Sequence, residues 1–254
     1  MKSLNYNFRG DGLGMRLYNA IPNLHILHKH YDYQINAYWP KNCQCYAHFL
    51  DLFENVININ FVKEKFEGSN VDLELMVNQK NRASKNTFSQ HNLAFYQVIL
   101  QPKPFIVDHS LKLIEKYSLD KNTYGLYLRC PETFDFRFYL NGELVPSNKS
   151  YNGRSEELIN FLQYFKNRED LHDKRIMLIS DSKILNDYLL SKYKNMFTIK
   201  ENILPNHKCF PARRSKDSII SALKCCFLLK SCTRLNTKQI SSFSDLPNWL
   251  PEIN

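Results

Sequence analysis

Four short stretches of this 254-residue chain carry residue types that could bind or transfer a charged group. The first is Gly10-Asp11-Gly12-Leu13-Gly14-Met15-Arg16. It holds three of only seven glycines, where average usage would give about 18. A glycine-rich turn between a strand and a helix lets backbone N–H groups approach an anion, and the helix N-terminus favours negative charge. The spacing is GxGxG rather than GxGxxG and no GK[ST] follows, so neither the dinucleotide fingerprint nor a P-loop is satisfied. A tight turn that needs positive φ is the other reading of the same glycines. The second stretch is Tyr127-Leu128-Arg129, with Glu132 three residues on. An arginine at the carboxyl end of a parallel strand can grip a phosphate bidentately, and a surface arginine is the alternative. The third, Ile179-Ser180-Asp181-Ser182, places polar groups where an apolar strand meets a helix, as a ligand contact or as a helix cap. The fourth is Ser241-Ser242-Phe243-Ser244, whose hydroxyls and amides suit phosphate oxygens and whose ring can pack on a base or on the core.

Charge points to the same class of partner. The formal net charge is +9, and between positions 206 and 244 eight Lys and Arg, among them Arg213 and Arg214, face one acid, Asp217. Such a segment attracts phosphate-bearing partners or is a solvated basic face. The seven cysteines (43, 45, 130, 209, 225, 226, 232) are odd in number and lack CxxC spacing, so reduced, buried thiols are expected rather than a disulfide framework. Cys43, Cys45 and His48 form the sole cluster with zinc-like spacing, one short of a four-ligand site. No apolar run reaches the roughly 18 residues of a membrane span, and the N-terminus lacks a secretory apolar stretch, so a cytoplasmic setting is expected.

Positioning these residues requires alternating strands and helices. Residues 3–9 predict a strand, 15–30 a helix kinked or bounded at Pro22, and 33–39 a second strand, which makes a βαβ unit. Residues 45–53 are amphipathic, 56–61 a further strand, and 78–86 an exposed loop. A helix over 110–117 leads to a polar stretch, 118–123, taken as the lobe boundary, so that residues 1–118 form one lobe and 119–254 the other. Beyond it the pattern predicts a strand over 124–129, a long loop or hairpin over 130–154 and a helix over 155–167. Next come a buried strand over 175–180, a helix over 183–193, a strand over 196–200 and a helix over 216–229. That order implies a parallel sheet with helices on both faces.

Taken in order, the four stretches resemble the fucosyltransferase-like glycosyltransferases: the nodulation fucosyltransferases, the α-1,6-fucosyltransferases and the protein O-fucosyltransferases. GDGLGMRLYNAI is similar to the opening GG(L/F)G-N-R/Q-L loop and helix, with Gly12, Gly14, Arg16 and Leu17 matching. GLYLRCPE (125–132) resembles the GLHIRRGD strand, with Arg129 at the pyrophosphate-gripping arginine and Glu132 at the acidic position. IMLISDS (176–182) is similar to IFLATDD, and DSIISALKCCFLLKSC followed by SSFS to DALIDLLLLSRCD…SSFS. Tyr127, Cys130 and Ser182 depart from the histidine, second arginine and second aspartate of those patterns.

The resemblance implies an α/β, GT-B-like fold: two Rossmann-like lobes with mainly parallel sheets facing a cleft, the first on the acceptor side and the second on the donor side. It implies a transferase using a nucleotide-sugar, GDP-fucose by default, and a glycan or other hydroxyl acceptor. The chain contains no D-x-D, so protein cations rather than a divalent metal are expected to steady the leaving diphosphate. Arg129, Glu132 and Asp11 are the candidate catalytic residues. Gly12, Gly14, Arg16, Arg129, Asp181, Arg213, Arg214, Asp217, Ser241, Ser242 and Phe243 are the candidates for donor binding. A catalytically degenerate nucleotide-sugar binder is the rival that the three departures suggest. A nucleic-acid partner is disfavoured, because the aromatic residues do not cluster with the basic segment.

Overall fold

The computed structural model describes residues 2–42, 45–68, 71–84, 93–128, 136–138, 144–146, 160, 162–180, 183–200, 215–235 and 242–253, with backbone alone at 93–95, 136–138, 144–146, 184 and 242–244. The chain divides into two compact units. The first is Met1–Val107 with Pro211–Ile220 and Asn248–Glu252; the second is Asp108–Phe210 with Ser221–Pro247 and Ile253–Asn254.

Among the described residues the first unit is built on three parallel strands in the order β1 (Lys2–Asn7), β2 (Tyr33–Tyr38), β3 (Asn60–Val62). Leu4, Tyr6, Ile35 and Ala37 alternate inward, whereas Ser3, Asn5 and Gln34 are exposed. Parallel sheets are ordinarily covered on both faces. Here the polar face is stitched by side-chain amides: Asn36 Nδ2 donates to Ser3 Oγ and Asn5 Oδ1, each at 3.0 Å, and Asn60 Nδ2 donates to Asn36 Oδ1 at 2.9 Å.

Between β1 and β2 runs α1 (Leu13–Tyr31), which continues through Pro22 instead of ending there. A proline cannot donate to the carbonyl four residues back, that of Tyr18. The buried Tyr96 hydroxyl donates to that oxygen at 3.2 Å in its place. The amphipathic stretch 45–53 is helical only over α2 (Phe49–Leu52), capped reciprocally by His48 and Asp51. The apolar run at 56–61 begins as a turn rather than a strand. Asn55 Nδ2 donates to Ile59 O (2.9 Å), its Oδ1 accepts from Ile59 N (3.0 Å), and Asn58 takes φ 49°. Residues 78–84 are not a loop either; they complete α3 (Leu73–Ser84), followed by α4 (Leu93–Ile99). The inward stripe of α3 is Leu73, Val77 and Asn81, and the last of these is an asparagine bonded by the Tyr31 hydroxyl at 2.6 Å, which hides the helical period.

A longer helix than the sequence predicts, α5 (Pro104–Lys116), begins at a proline whose missing N–H costs nothing at a first turn. Among the described residues the second unit has a four-stranded parallel sheet in the order β8 (Met196–Phe197), β7 (Ile176–Ser180), β4 (Tyr124–Leu128), β9 (Thr233–Leu235). Within the stretch expected to be a long loop or hairpin, Phe136–Phe138 (β5) and Leu144–Pro146 (β6) pair antiparallel. Helices α6 (Lys183–Lys192), α7 (Lys216–Ser231) and α8 (Ser242–Trp249) complete the order. Of the helix expected at 155–167, positions 160 and 162–166 are described and helical. Both faces of this sheet are covered: Leu126, Leu128, Ile176 and Leu178 pack with Phe165, Leu185 and Leu189, whereas Tyr127, Met177 and Ile179 pack with Leu113, Cys225 and Leu228. Among the described residues no helix is long and apolar enough to cross a membrane. Cys45, Cys225, Cys226 and Cys232 are buried, as expected, and form no disulfide among the described residues; Cys43, Cys130 and Cys209 lie outside the described residues.

Candidate functional site

In the first unit the glycine turn joins the carboxyl end of β1 to α1, the place where open parallel sheets bind ligands. Positive φ does not explain these glycines: Gly12 is the N-cap with φ −65° and ψ 163°, and Gly68 is the glycine with positive φ among the described residues. Packing explains Gly10, because a Cβ there would lie 2.9 Å from Asn42 Nδ2. Gly14 is buried in the first turn, and no acidic side chain occupies that turn.

Arg16 is directed inward. It is 2% exposed; its Nε donates to Asp11 O at 2.6 Å, Nη1 to Pro40 O at 2.6 Å and Nη2 to Asn42 Oδ1 at 3.1 Å. The guanidinium lies 5.1 Å from the Trp39 ring centre. Burial pulls its pKa below the ordinary value, with Cys45, Asp11 and Tyr38 opposing. Asn42 Nδ2 in turn donates to Gly10 O at 2.9 Å. The residue that resembles a donor-binding arginine therefore ties the turn to the loop after β2. Asp11 itself is half-exposed.

That loop carries His48, packed edge-on against Phe61 with ring centres 4.8 Å apart. Its Nδ1 accepts from Leu50 N at 3.2 Å, which places the neutral ring's proton on Nε2. Burial, then the charge of Lys41, lowers its pKa against the opposing pull of Asp51. Asp51 accepts from Lys216 Nζ at 2.7 Å and from His48 N at 2.7 Å. Burial alone would raise this carboxyl; the bonds from Lys216 and His48 and the charges of Lys216 and Lys41 outweigh it, so its pKa is lowered. The Cys43, Cys45 and His48 cluster is not assembled for a metal in what is described. Cys45 Sγ is directed to Ala47 O at 3.5 Å, His48 Nδ1 to its own helix, and Cys43 lies outside the described residues.

In the second unit β4 and β7 pair so that Leu128 faces Ser180 across the ladder. Arg129 and Asp181, the next residues of each strand in sequence, lie outside the described residues, as do Glu132, Arg213, Arg214 and Ser241. Ser242 opens α8 and Phe243 follows it; only their backbones are described. Asp217 is exposed in the first turn of α7, where its charge complements the helix dipole. The structure thus brings Asp11, Gly12, Gly14 and Arg16 together at one turn. Asn42, Trp39, His48 and Asp51 were not singled out as parts of this site by the sequence. Their signal is tertiary, apart from the helix-capping spacing of His48 and Asp51.

No family model matches the sequence, and no curated protein does. Solved structures match over nearly the whole chain. The NodZ α-1,6-fucosyltransferase co-crystallised with GDP has a TM-score of 0.58 at 12% identity, over 98% of this chain and 92% of that one. The fucosyltransferase NodZ from Bradyrhizobium has a TM-score of 0.57 at 12% identity, over 97% and 91%. NodZ soaked with GDP-fucose gives 0.55 at 13% identity, over 98% and 92%. At such identities the likeness is one of fold, and it agrees with the parallel α/β architecture.

Proposed function

We propose that the chain is a metal-independent glycosyltransferase that moves fucose from GDP-fucose to a glycan or other hydroxyl acceptor. The observation that carries this is the fold likeness, over nearly the whole chain, to fucosyltransferase structures with GDP or GDP-fucose. Residues 119–254 would bind the donor and 1–118 the acceptor. A cytoplasmic setting belongs to the same proposal.

In the transfer, the bond between the anomeric carbon and the β-phosphate oxygen breaks, and its electron pair leaves with GDP. The acceptor oxygen forms the new bond, and its proton passes to a carboxylate. Arg129 is assigned to the growing charge on the diphosphate, assisted by Ser241, Ser242, Arg213 and Arg214; cations aimed at developing charge lower such a barrier most. Register supports the placement, since Leu128 and Ser180 end neighbouring strands immediately before Arg129 and Asp181. Asp181, Asp217 and Phe243 complete the donor set, Phe243 as a platform for the base. Glu132 on the donor unit and Asp11 on the acceptor unit are the two candidate bases.

A thermal-shift series with GDP-fucose, GDP-mannose, UDP-sugars and GDP, each with and without EDTA, tests the donor half. A donor at 100 times its Kd stabilises by about 2.7 kcal/mol. GDP release on adding glycan acceptors tests turnover. A protein that no nucleotide-sugar stabilises refutes the proposal. One observation favours a second reading, a binder without turnover: Tyr127, at the position of the resembled histidine, is buried in the core at 6% exposure. Stabilisation by the donor with no GDP release from any acceptor would select that reading.

A further inference from the structure

Resting on the transferase reading above, we propose that Arg16 and Asn42 are positioning residues: they fix the backbone of the Gly10–Gly14 turn and thereby aim the Asp11 carboxylate on the acceptor side. Both carbonyls that flank the Asp11 N–H and Cα are held. The Gly10 oxygen accepts from Asn42 Nδ2 at 2.9 Å and the Asp11 oxygen from Arg16 Nε at 2.6 Å. A trans peptide directs its N–H opposite to its C=O. Holding those two oxygens therefore faces the amides of Asp11 and Gly12 away from the clamp and leaves the Asp11 side chain one direction of exit. Neither amide has an acceptor among the described residues.

The clamp is itself built in. Arg16 Nη1 donates to Pro40 O at 2.6 Å, and Nη2 meets Asn42 Oδ1 at 3.1 Å, so the guanidinium joins the two loops that follow β1 and β2. Asn42 is held in turn, because Asn42 and Cys45 exchange backbone bonds of 3.2 and 3.0 Å and the Cys45 N–H also reaches Asn42 Oδ1 at 3.2 Å. Gly10 completes the fit by leaving the space that the Asn42 amide fills. A lysine at position 16 keeps the charge but cannot reach three acceptors in one plane. Misplacing a reacting group by about 1 Å costs on the order of 10²-fold in rate.

The test uses the full chain with GDP-fucose and the best acceptor found. Arg16→Lys and the milder Asn42→Ala are each expected to lower kcat by about 10- to 100-fold. KM for the donor should stay within about 2-fold, and in Asn42→Ala amide exchange at Cys45, whose N–H is bonded to Asn42 O and Oδ1, should speed up while the rest of the unit keeps its protection. Gly10→Ala should reproduce the loss, and Gly10→Ala/Asn42→Ala should be no worse than either single variant, because both act through one contact. Unchanged kcat in folded Asn42→Ala overturns the proposal, as does a loss carried wholly by donor KM or strict additivity of the Gly10 and Asn42 changes. Arg16→Lys protein that fails to fold leaves the Asn42 and Gly10 variants to decide. A wild-type protein with no transfer from any donor defeats the functional reading, and this inference with it.

Discussion

The Tyr96 hydroxyl stands in for an N–H that Pro22 lacks, and deleting it isolates that role. Tyr96 is 1% exposed and its oxygen lies 3.2 Å from Tyr18 O, the acceptor that residue 22 would otherwise serve. Burial raises the phenol pKa, so the group stays a donor through neutral and mildly alkaline pH. Tyr96→Phe keeps the ring against Trp249, where the centres are 5.1 Å apart and the planes 17° from parallel, and removes one donor. Leaving a buried carbonyl short of that donor costs about 1–3 kcal/mol. Pro22→Ala returns an N–H to the helix. In that background the hydroxyl is one of two donors, and its loss should cost only the net worth of a hydrogen bond, about 0.5–1.5 kcal/mol. The coupling expected from the four proteins is thus about 1 kcal/mol. Urea unfolding followed by tryptophan fluorescence reads it cleanly, because both tryptophans, Trp39 and Trp249, belong to the first unit. Equal costs of Tyr96→Phe in the two backgrounds would refute the account of how α1 tolerates its proline.

Gly125→Ala should destabilise the second unit by about 1–3 kcal/mol in chemical unfolding. Its Cβ would sit 3.1 Å from Leu229 Cδ2 and 3.2 Å from Cys232 Cβ, and an unchanged midpoint would contradict that packing. His25 has its pKa lowered from 6.5 to about 4, first by burial and then by the charges of Lys29, His30 and His28. The unfolded chain therefore binds the extra proton between these values, so stability from this group is complete above about pH 6.5 and is lost as pH falls towards 4. Melting temperature against pH should flatten over that window in His25→Gln; a profile parallel to wild type would exclude the assignment. Under the proposed function, Arg129→Ala should lower kcat on the order of 10²–10³-fold in a GDP-release assay, and a near wild-type rate would remove Arg129 from the mechanism.

What the sequence made legible follows from how local each signal is. The run RIMLIS shows as a buried strand because both of its faces are apolar, and Ile176–Ser180 is buried throughout. The GDGLG turn is visible because glycine is otherwise scarce, and it lies where a βαβ unit would put it. Its chemistry was less legible. Arg16 matches a family pattern at a loop, yet its partners, Pro40 and Asn42, come from a loop brought close by the β1–β2 pairing, which no spacing encodes. Asn81 and Asn55 misled in opposite ways: one asparagine on the inner stripe disguised a helix as a loop, and another folded an apolar, β-branched run into a turn. In each case a long-range or side-chain hydrogen bond overrode the polarity pattern. Of the donor assignments beyond position 118, Asp217 alone has its side chain among the described residues, so the remainder stand on motif order and on the strand register that precedes them.

Trp249 lies between two tyrosines of the first unit, stacked on Tyr96 and, with centres 5.6 Å apart, on Tyr18. Tyr18 belongs to α1 and Trp249 to α8, 231 residues further along the chain. The first unit therefore cannot close this aromatic stack until residue 249 has been made. Until then the nascent N-terminal half carries two uncovered ring faces, a contact of high sequence separation of the kind that slows folding and exposes intermediates to aggregation. Truncating the chain before Trp249 should accordingly leave an N-terminal half that engages chaperones, even though β1, β2 and β3 are present.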